Sequence, residues 1–110
     1  MTNLLIAAII AVESGGNDWA RGRAGELGAL QIRACVVRDV NQHFGLRYKH
    51  SDMTNRAAAI HVFDCYMKMY ATDKRLGRAV TDSDRARIWN GGPNGWKKKS
   101  TKSYSKKVQQ

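Results

Sequence analysis

The sequence is poor in the features that mark membrane, metal or redox proteins. Its 110 residues include one proline and two cysteines, and they contain neither a repeat nor a low-complexity tract. No apolar run approaches the roughly 18–20 residues that a bilayer-spanning helix needs, so no transmembrane segment is predicted. The length fits one compact domain, residues 1–110, and a hydrophobic content of 43% is enough for a core.

The two cysteines, Cys35 and Cys65, lie far apart and form no C-x-x-C motif. This spacing argues against a zinc site and against a thioredoxin-like motif. His43, His50 and His61 also lack the spacing of metal ligands, so the sequence predicts no metal and no other cofactor. We expect two buried thiols rather than a disulfide, although export of the chain would favour the disulfide.

Acidic residues are scarce, since 19 lysines and arginines stand against 9 aspartates and glutamates and give a net charge of +10. Such a charge predicts a polyanionic partner: nucleic acid, an anionic membrane, or a cell wall bearing teichoic acid or lipopolysaccharide. From Arg85 onward there are eight basic residues and no acidic one, with Trp89, Trp96 and Tyr104 interleaved. This basic C-terminal segment suits a phosphate backbone, an anionic envelope or simple solvation.

The chain begins without the positive charge of a signal peptide. "LLIAAIIAVESGG", residues 4–16, contains an apolar run, but residues 1–3 include no lysine or arginine. The best match to a small-residue cleavage box, residues 9–11, is poor. We therefore interpret the run as a helix that stays in the protein, which would be made in the cytoplasm.

The helix interpretation explains both ends of this run. Thr2 or Asn3 can cap its start, and Gly15 and Gly16 supply a left-handed stop. A helix that is apolar on all sides is typical of a buried central helix.

Glu13 is the acidic residue of this helix. It lies four residues after Ile9 and three after Ile10, and so shares their face. Apolar surroundings and the negative end of the helix dipole both disfavour the carboxylate, which predicts a raised pKa. A carboxyl group that stays protonated near neutral pH can act as a general acid. The alternative is a glutamate at the rim that caps the helix in water.

The rest of the chain predicts a mainly α, compact helical domain. Residues 15–28 are rich in glycine and indicate an irregular loop with one short turn or β-hairpin. Residues 28–45 have near-helical spacing and end at Gly45, and one candidate face comprises Leu30, Ala34, Val37 and Val40.

A longer amphipathic helix is predicted over residues 54–77, capped by Thr54 or Asn55 and stopped by Gly77. Its inward-facing residues are expected to be Ala59, Val62, Phe63, Tyr66, Met69 and Tyr70. Residues 81–90 predict a short helix, residues 91–96 a loop, and residues 97–108 a basic segment with a terminal helix.

Three segments carry recognisable motifs in order. Residues 13–31 fit the pattern E-S-x-F-N-P-x-A-x-S-x-x-G-A-x-G-L-M-Q without a gap, and the matches are Glu13, Ser14, Asn17, Ala20, Gly25, Gly28 and Gln31. "IWNGG" resembles A-Y-N-x-G and falls on Asn90 and Gly91. "TKSYSKKV" resembles T-x-x-Y-x-x-K-V and falls on Thr101, Tyr104, Lys107 and Val108. With these motifs the chain resembles the soluble lytic transglycosylase and goose-type lysozyme family.

The resemblance implies an α+β lysozyme-like fold with a glycan cleft, and cleavage of the β-1,4 bond between N-acetylmuramic acid and N-acetylglucosamine in peptidoglycan. It implies that Glu13 protonates the leaving oxygen, that Leu30 and Gln31 line the cleft, and that Asn90 and Tyr104 hold N-acetyl groups or orient Glu13. The candidate substrate-binding residues are Ser14, Leu30, Gln31, Trp89, Asn90, Gly91 and Tyr104.

The sequence departs from the family pattern at several positions. Gly22 replaces a serine that could contact the Glu13 carboxyl, and Glu26 replaces a small residue. Trp89 stands for the tyrosine of A-Y-N, and Ala29 and Leu30 replace leucine and methionine.

These departures bear on the reaction type. In a lytic transglycosylase one carboxyl group acts as acid and then base, and the sugar's 6-hydroxyl closes a 1,6-anhydro ring. In an inverting lysozyme a second carboxylate, about 6.5–9.5 Å from the acid, activates water. Glu26 is our candidate for that second carboxylate, with Asp18 and Asp39 as weaker ones. The alternative for Glu26 is an exposed loop charge beside Arg23.

The resulting hypothesis is a monomeric enzyme that lyses the bacterial cell wall, of the size of a phage-type endolysin. Its partners would be glycan strands and, through the basic C-terminal segment, anionic wall polymers rather than a specific nucleic acid. One alternative is a cationic helical protein that binds nucleic acid or an envelope without catalysis. Another is an inactive domain that only binds glycan.

Overall fold

The computed structural model describes residues 3–110, and the mainly α class predicted from the sequence is confirmed within them. The α-helices of this part of the chain are α1 (Asn3–Ser14), α2 (Ala34–Phe44), α3 (Arg56–Tyr70), α4 (Asp73–Leu76), α5 (Asp82–Gly91) and α6 (Lys102–Gln109). Short 3-10 helices cover His50–Thr54, Gly95–Lys97 and Lys99–Thr101. Within residues 3–110, no helix is both long and apolar enough to cross a bilayer.

The described chain divides into two compact units. The first, which we call the loop unit, is Ile10–Tyr66 and holds the end of α1, the glycine-rich loop, α2 and most of α3. The second, the C-terminal unit, is Met67–Gln110 together with the described residues up to Ile9.

Helix α1 has the predicted left-handed stop. Gly15 and Gly16 have φ of 64° and 92°, and the Gly15 N–H donates to the Ala11 carbonyl at 3.1 Å. Such φ values favour glycine because a Cβ atom would meet the backbone. Asn3 is already helical, and the alternative cap Thr2 lies outside the described residues.

The prediction that α1 is buried on all sides is wrong. Its buried residues form one face and are Leu5, Ile6, Ile9 and Ile10. Leu4 is 82% exposed and Val12 is 36% exposed on other sides of the helix. A uniformly apolar sequence leaves the buried face undefined, so the chain's packing selects it.

The glycine-rich loop contains the predicted short hairpin. Single antiparallel bridges join Leu27 to Arg21 and to Ile32, and Leu27 and Ile32 exchange backbone hydrogen bonds of 2.9 and 3.0 Å. Helix α2 begins only at Ala34, so the prediction of a helical face that includes Leu30 is wrong. The hairpin takes residues 28–32 because the turn there uses left-handed backbone that a helix cannot accommodate.

From Ala34 onward, helix α2 has the predicted buried face and the predicted end. Val37 and Val40 are buried on its inner face, and it ends at Gly45 with φ of 66°.

The predicted helix over residues 54–77 is confirmed at its start and divided near its end. Asn55 is the cap, since its Oδ1 accepts the Ala58 N–H at 3.0 Å. Helix α3 stops at Tyr70, and Thr72 caps the separate α4 by accepting the Arg75 N–H at 3.2 Å. Gly77, with φ of 74°, ends α4.

The division of this helix also changes which residues are buried. Those buried as predicted are Ala59, Val62, Phe63 and Tyr66. Cys65 and Met67 are buried as well, whereas Met69 and Tyr70 are partly exposed. The inward face predicted at the end of the helix is therefore wrong, because the chain turns after Tyr70.

The C-terminal unit is organised by α5 and α6, both predicted. Thr81 and Asp84 form a capping box at the start of α5, with the Asp84 N–H donating to Thr81 Oγ1 at 3.2 Å. The hydroxyls of Ser83 and Ser105 lie 2.7 Å apart and link α5 to α6. On α6, Tyr104, Ser105 and Val108 are buried, so the basic segment is part of the packed fold.

Neither cysteine forms a disulfide, as the sequence favoured. Cys65 is buried on α3, but Cys35 is exposed on α2, so the expectation that both thiols are buried is wrong. Helix α2 buries Val37 and Val40, and Cys35 lies on a different side of the helix.

Candidate functional site

Glu13 lies in the last turn of α1, at the margin of its buried face. Ile9 is fully buried and Ile10 is 7% exposed, whereas Glu13 itself is partly exposed. The predicted alignment of Glu13 with these two isoleucines is therefore present in the fold. Glu13 thus follows the buried Ile9 and Ile10 on the same side of α1 and is itself partly accessible to solvent.

Ser14 connects the end of α1 to the glycine-rich loop. Its Oγ lies 2.8 Å from the Ala29 carbonyl and 3.2 Å from the Ile10 carbonyl, and it accepts the Gly16 N–H at 3.2 Å. These bonds give Ser14 a structural role within the loop unit. They also bring the loop that carries Leu30 and Gln31 to the residue that follows Glu13.

Leu30 and Gly28 fix the position of the glycine-rich loop by close packing. Leu30 has no exposed surface, so it supports the loop and can affect a substrate only through the residues that cover it. Gly28 has φ of 82°, and a Cβ atom there would collide with the carbonyl oxygen of Met53. Only glycine allows the loop to lie this close to the 3-10 helix His50–Thr54.

Gln31 is held with its side-chain oxygen in a defined direction. Its Nε2 donates to the carbonyls of Ala20 at 3.1 Å and Gly28 at 3.0 Å, which uses both amide protons. Its φ is 52°, a left-handed conformation that residues other than glycine rarely adopt. Such backbone persists only where the surrounding structure imposes it, and it is common at functional sites.

The Glu26 carboxyl group lies over Gly22. Glu26 Oε1 accepts the Ala24 N–H at 2.8 Å, and the Gly22 N–H donates to the Glu26 carbonyl at 2.8 Å. A Cβ atom on Gly22 would lie 2.7 Å from both Cδ and Oε1 of Glu26, and 2.9 Å from Oε1 of Gln31. The carboxyl of Glu26 and the amide oxygen of Gln31 therefore converge on Gly22.

This convergence shows that two departures from the sequence pattern, Gly22 and Glu26, are in direct contact. Gly22 does not merely lack a serine hydroxyl, because any side chain there would enter the space of Glu26. The alternative interpretation of Glu26 was an exposed charge beside Arg23, whereas Glu26 is partly buried and its carboxyl is turned onto Gly22. The sequence analysis did not predict this contact. Gly22 and Glu26 both differ from the motif and lie four residues apart, and this pairing could have indicated it.

Asp18 and Asp39, the weaker candidates, have different surroundings. Asp18 Oδ1 accepts from Arg56 Nε at 2.7 Å, and Arg56 Nη2 also donates to the Gly16 carbonyl at 2.6 Å. Asp18 thus anchors the loop to α3 through Arg56, a residue that the sequence did not single out. Asp39 lies in the middle of α2 and is partly buried.

The remaining candidates belong to the C-terminal unit. Trp89 and Asn90 lie near the end of α5, where Trp89 is partly exposed and Asn90 is exposed. Gly91 ends α5, and its carbonyl accepts from Lys98 Nζ at 2.7 Å. Tyr104 on α6 is 9% exposed, so most of its ring is part of the core.

The strongest electrostatic arrangement in the C-terminal unit is structural. Arg78 forms two hydrogen bonds, of 2.6 and 2.8 Å, with the buried carboxylate of Asp84. The Arg78 guanidinium lowers the pKa of Asp84 to about 2, with help from the Thr81 N–H and hydroxyl and against the effect of burial. The hydrogen bond with Asp84 in turn raises the pKa of Arg78. Asp84 thus caps α5 as a carboxylate and is not available as an acid.

Comparison with known proteins supports a partial similarity. A segment of 42 residues, 37% of this chain, is 48% identical to part of the endo-type membrane-bound lytic murein transglycosylase A of Citrobacter koseri. The chain spans about a fifth of that relative, since the aligned segment covers 21% of its length. No protein-family model matches the chain.

Proposed function

We propose that this protein is a peptidoglycan-degrading glycosidase that cleaves the β-1,4 bond between N-acetylmuramic acid and N-acetylglucosamine. The observation that carries the proposal is the position of Glu13 at the margin of the buried face of α1, next to a loop fixed by Ser14. The partial similarity to a protein whose name describes a lytic murein transglycosylase supports the same chemistry.

In this proposal Glu13 is the general acid. It shares the side of α1 that carries the buried Ile9 and Ile10, and it lies in the last turn of that helix, two features that favour a protonated carboxyl group. The protonated carboxyl donates its proton to the glycosidic oxygen as the bond to the muramic acid breaks. Proton transfer of this kind contributes about 10²- to 10⁴-fold to the rate.

Glu26 is the second carboxylate in the hydrolytic form of the mechanism. The chain has two glutamates, and both lie in the loop unit. The Glu26 carboxyl is oriented by the Ala24 N–H, which donates to its Oε1 at 2.8 Å, and a carboxylate held in this way can serve as a general base. With Glu26 as base the product is a reducing muramic acid, whereas Glu13 acting alone would give a 1,6-anhydro end.

The other candidates complete the proposal as substrate-binding residues. The exposed Asn90 and the partly exposed Trp89 can contact sugar N-acetyl and hydroxyl groups, and Gly91 and the mostly buried Tyr104 complete the candidate set. The exposed lysines of α6 would attract the acidic polymers of a cell wall. We propose a monomer that acts on the wall in the manner of an endolysin.

The decisive experiment measures the clearing of a suspension of purified cell walls. Glu13→Gln keeps the size of the side chain and removes the acid, so we expect clearing to fall at least about a hundredfold with the helical circular dichroism unchanged. Asp82→Asn is the matched control, because Asp82 is an exposed acid that pairs with Arg85 on α5. Clearing at the wild-type rate by a folded Glu13→Gln variant would contradict the assignment.

The net charge of +10 favours a second candidate function, a cationic protein that binds nucleic acid or an envelope without catalysis. That protein would retard a DNA duplex in a gel or bind anionic vesicles, and would release no fragments from purified walls. A glycan-binding domain without catalysis would bind the walls and leave them intact, and Glu13→Gln would not change its binding.

A further inference from the structure

We propose that Trp19, Arg21 and Arg23 form a subsite for the muramic acid units of a glycan strand, in which the indole packs on a sugar ring and the two guanidinium groups bind carboxylates. The carboxylates are those of the lactyl group of muramic acid or of the peptide attached to it. We call these three residues the loop strip. The inference rests on the proposed function and names the part of the substrate that the glycine-rich loop recognises.

The first support is the way in which Trp19 is presented. It is 75% exposed, whereas Trp89 and Trp96 are only partly exposed. A single exposed apolar side chain is common on protein surfaces, but the backbone that carries Trp19 is fixed. Its N–H donates to Asn17 Oδ1 at 2.9 Å, and the carboxylate of the preceding residue accepts from Arg56 Nε at 2.7 Å. A large, rigid ring held in water in this way is suited to packing on the apolar face of a sugar.

The second support is the pattern of exposure around Trp19. Trp19, Arg21 and Arg23 are exposed, whereas the residues between them are only partly exposed. Arg21 pairs with Leu27 in an antiparallel bridge, so the backbone at this point is extended. Alternate residues of extended backbone point to the same side. The alternation therefore places the indole and the two guanidinium groups on the exposed side of the hairpin.

The third support is the uncompensated charge of the two arginines. Within residues 3–110 neither Arg21 nor Arg23 forms an ion pair. The acids of the same loop are engaged elsewhere, since Asp18 pairs with Arg56 and the Glu26 carboxyl accepts a backbone N–H of its own hairpin. A guanidinium group fits the two oxygens of a carboxylate with two parallel hydrogen bonds. Each arginine can therefore bind a carboxylate of the substrate without losing a partner in the protein.

The loop strip is connected to the proposed general acid by short hydrogen bonds. Ser14, which follows Glu13, lies with its Oγ 2.8 Å from the Ala29 carbonyl. The neighbouring Gly28 donates its N–H at 2.9 Å to the carbonyl of Ala20, which lies between the first two residues of the loop strip. The acid and the loop strip thus belong to one hydrogen-bonded part of the loop unit, so a glycan strand held at one is within reach of the other.

The chemistry of the loop strip distinguishes between glycans. Muramic acid differs from N-acetylglucosamine by its lactyl ether, whose carboxyl group is free or joined to an acidic peptide. A polymer of N-acetylglucosamine alone offers a sugar ring to the indole but no carboxylate to the guanidinium groups. The loop strip therefore favours acidic strands that contain muramic acid over neutral ones, in addition to the general attraction by the net charge of +10.

The test is calorimetric binding in a Glu13→Gln background, so that the ligand is not cleaved. The ligands are soluble peptidoglycan strands, the same strands with their carboxyl groups converted to methylamides, and an oligomer of N-acetylglucosamine. We expect Arg21→Gln/Arg23→Gln to weaken binding to the unmodified strands by about threefold to tenfold, the effect of two exposed ion pairs. Its affinity for the methylamide strands and for the oligomer should not change.

Trp19→Ala should instead weaken the binding of all these ligands by about tenfold, because the sugar ring is common to them. Trp19→Phe should keep most of the affinity, since phenylalanine retains a ring face. Quenching of tryptophan fluorescence by acrylamide gives a second measurement. Bound strands should protect the protein that has Trp19 and should give much less protection when Trp19 is replaced by phenylalanine.

The matched control is Arg38→Gln/Arg47→Gln, which removes the same charge from two exposed arginines of the loop unit. Equal loss in the two double variants would overturn the inference, because total charge would then explain the binding. Unchanged affinity of Arg21→Gln/Arg23→Gln for the unmodified strands would overturn it as well.

The source of the carboxylate is identified with strands stripped of their peptides. A loss of affinity that persists with these strands assigns the lactyl carboxylate, and a loss seen only with peptide-bearing strands assigns the peptide. Both results support the loop strip as a carboxylate-binding subsite.

Failure of the inference and failure of the proposed function have different signatures. A wild type that releases no fragments from walls, but whose binding to glycan strands depends on the loop strip, would overturn the proposed function and support the loop strip as a glycan-binding site. A wild type that clears walls, while Arg21→Gln/Arg23→Gln loses affinity only for a DNA duplex, would overturn the inference and leave the proposed function intact.

Discussion

The carboxyl group of Glu26 lies where a side chain at position 22 would begin, since a Cβ on Gly22 would be 2.7 Å from its Cδ and Oε1. Real Cβ atoms do not approach other atoms this closely, so a side chain at position 22 requires the end of the Glu26 side chain to move. A small residue at position 26, as in the pattern that residues 13–31 resemble, would leave room for a side chain at position 22.

The first prediction tests this mutual dependence by a double-mutant cycle. Gly22→Ser alone should lower the free energy of unfolding by about 1 kcal/mol, the low end of the usual cost of overpacking, because the end of the Glu26 side chain can shift. In the double variant Gly22→Ser/Glu26→Ala the serine has room, so most of that loss should be recovered. Urea unfolding of the four proteins measures the coupling, and strictly additive effects would contradict the contact.

The second prediction concerns Gly28, for which the chain offers a matched control. Gly28→Ala adds a Cβ that collides with the Met53 carbonyl and strains a residue with φ of 82°, so it should cost about 2–4 kcal/mol. Gly45→Ala has a similar φ of 66° but no atom within 4 Å of the new Cβ, and it should cost only about 1–2 kcal/mol. Equal losses in urea unfolding would show that the collision contributes nothing.

The third prediction follows from the lowered pKa of Asp84. The Arg78 guanidinium lowers this pKa from 3.8 to about 2 in the folded protein. A depressed folded pKa stabilises the protein above the unfolded value, and this contribution is lost as the pH falls from about 4 through 2. Because Arg78 is 48% exposed, we expect only about 1–2 kcal/mol from the shift.

The measurement for Asp84 is urea unfolding at a series of pH values from neutral down to roughly pH 2.5. Linkage places the loss of this contribution at the acidic end of that range. Asp84→Asn should be less stable than the wild type at neutral pH and should lose less stability on acidification. Asp82→Asn is the control, because that exposed pair with Arg85 should contribute less than about 1 kcal/mol. An unchanged acid profile in Asp84→Asn would contradict the assignment of the shift.

The elements of this fold were predictable where local chemistry defines them. Gly45 and Gly77 end helices as expected, and the Thr81 cap begins α5, because a left-handed glycine or a capping hydroxyl acts within one turn. The break between α3 and α4 was not predictable in the same way. The sequence from Tyr70 to Thr72 has no glycine or proline, and the capping bond of Thr72 competes successfully with the continued helix.

The sequence nominates the residues of the candidate site but not the contacts between them. Motif spacing identified Glu13, Glu26 and Gln31, but the convergence of two oxygens on Gly22 depends on the hairpin and on Gln31 in a left-handed conformation. Nothing in the residue type of glutamine predicts a φ of 52°. Likewise, the buried face of α1 could not be derived from a run that is apolar on every side.

The last prediction concerns the exposed lysines of α6. If Lys102, Lys106 and Lys107 draw the enzyme to an anionic wall, their triple change to glutamine should slow clearing severalfold at low salt. Their effect should vanish as salt rises, because the screening length falls from about 10 Å at 0.1 M to about 3 Å at 1 M.

The control for this prediction removes the same charge elsewhere, at the exposed residues Lys49, Lys68 and Lys74. Both triple variants have a net charge three lower than the +10 of the wild type, so they separate the location of the charge from its total. Because Lys106 and Lys107 lie in the last turn of α6 and interact favourably with its dipole, thermal melting must accompany the assay. Equal slowing in both triples would mean that total charge alone attracts the wall. Clearing by the wild type that does not change with salt would mean that long-range attraction plays no part, and the α6 lysines would then be a solvated face of the helix.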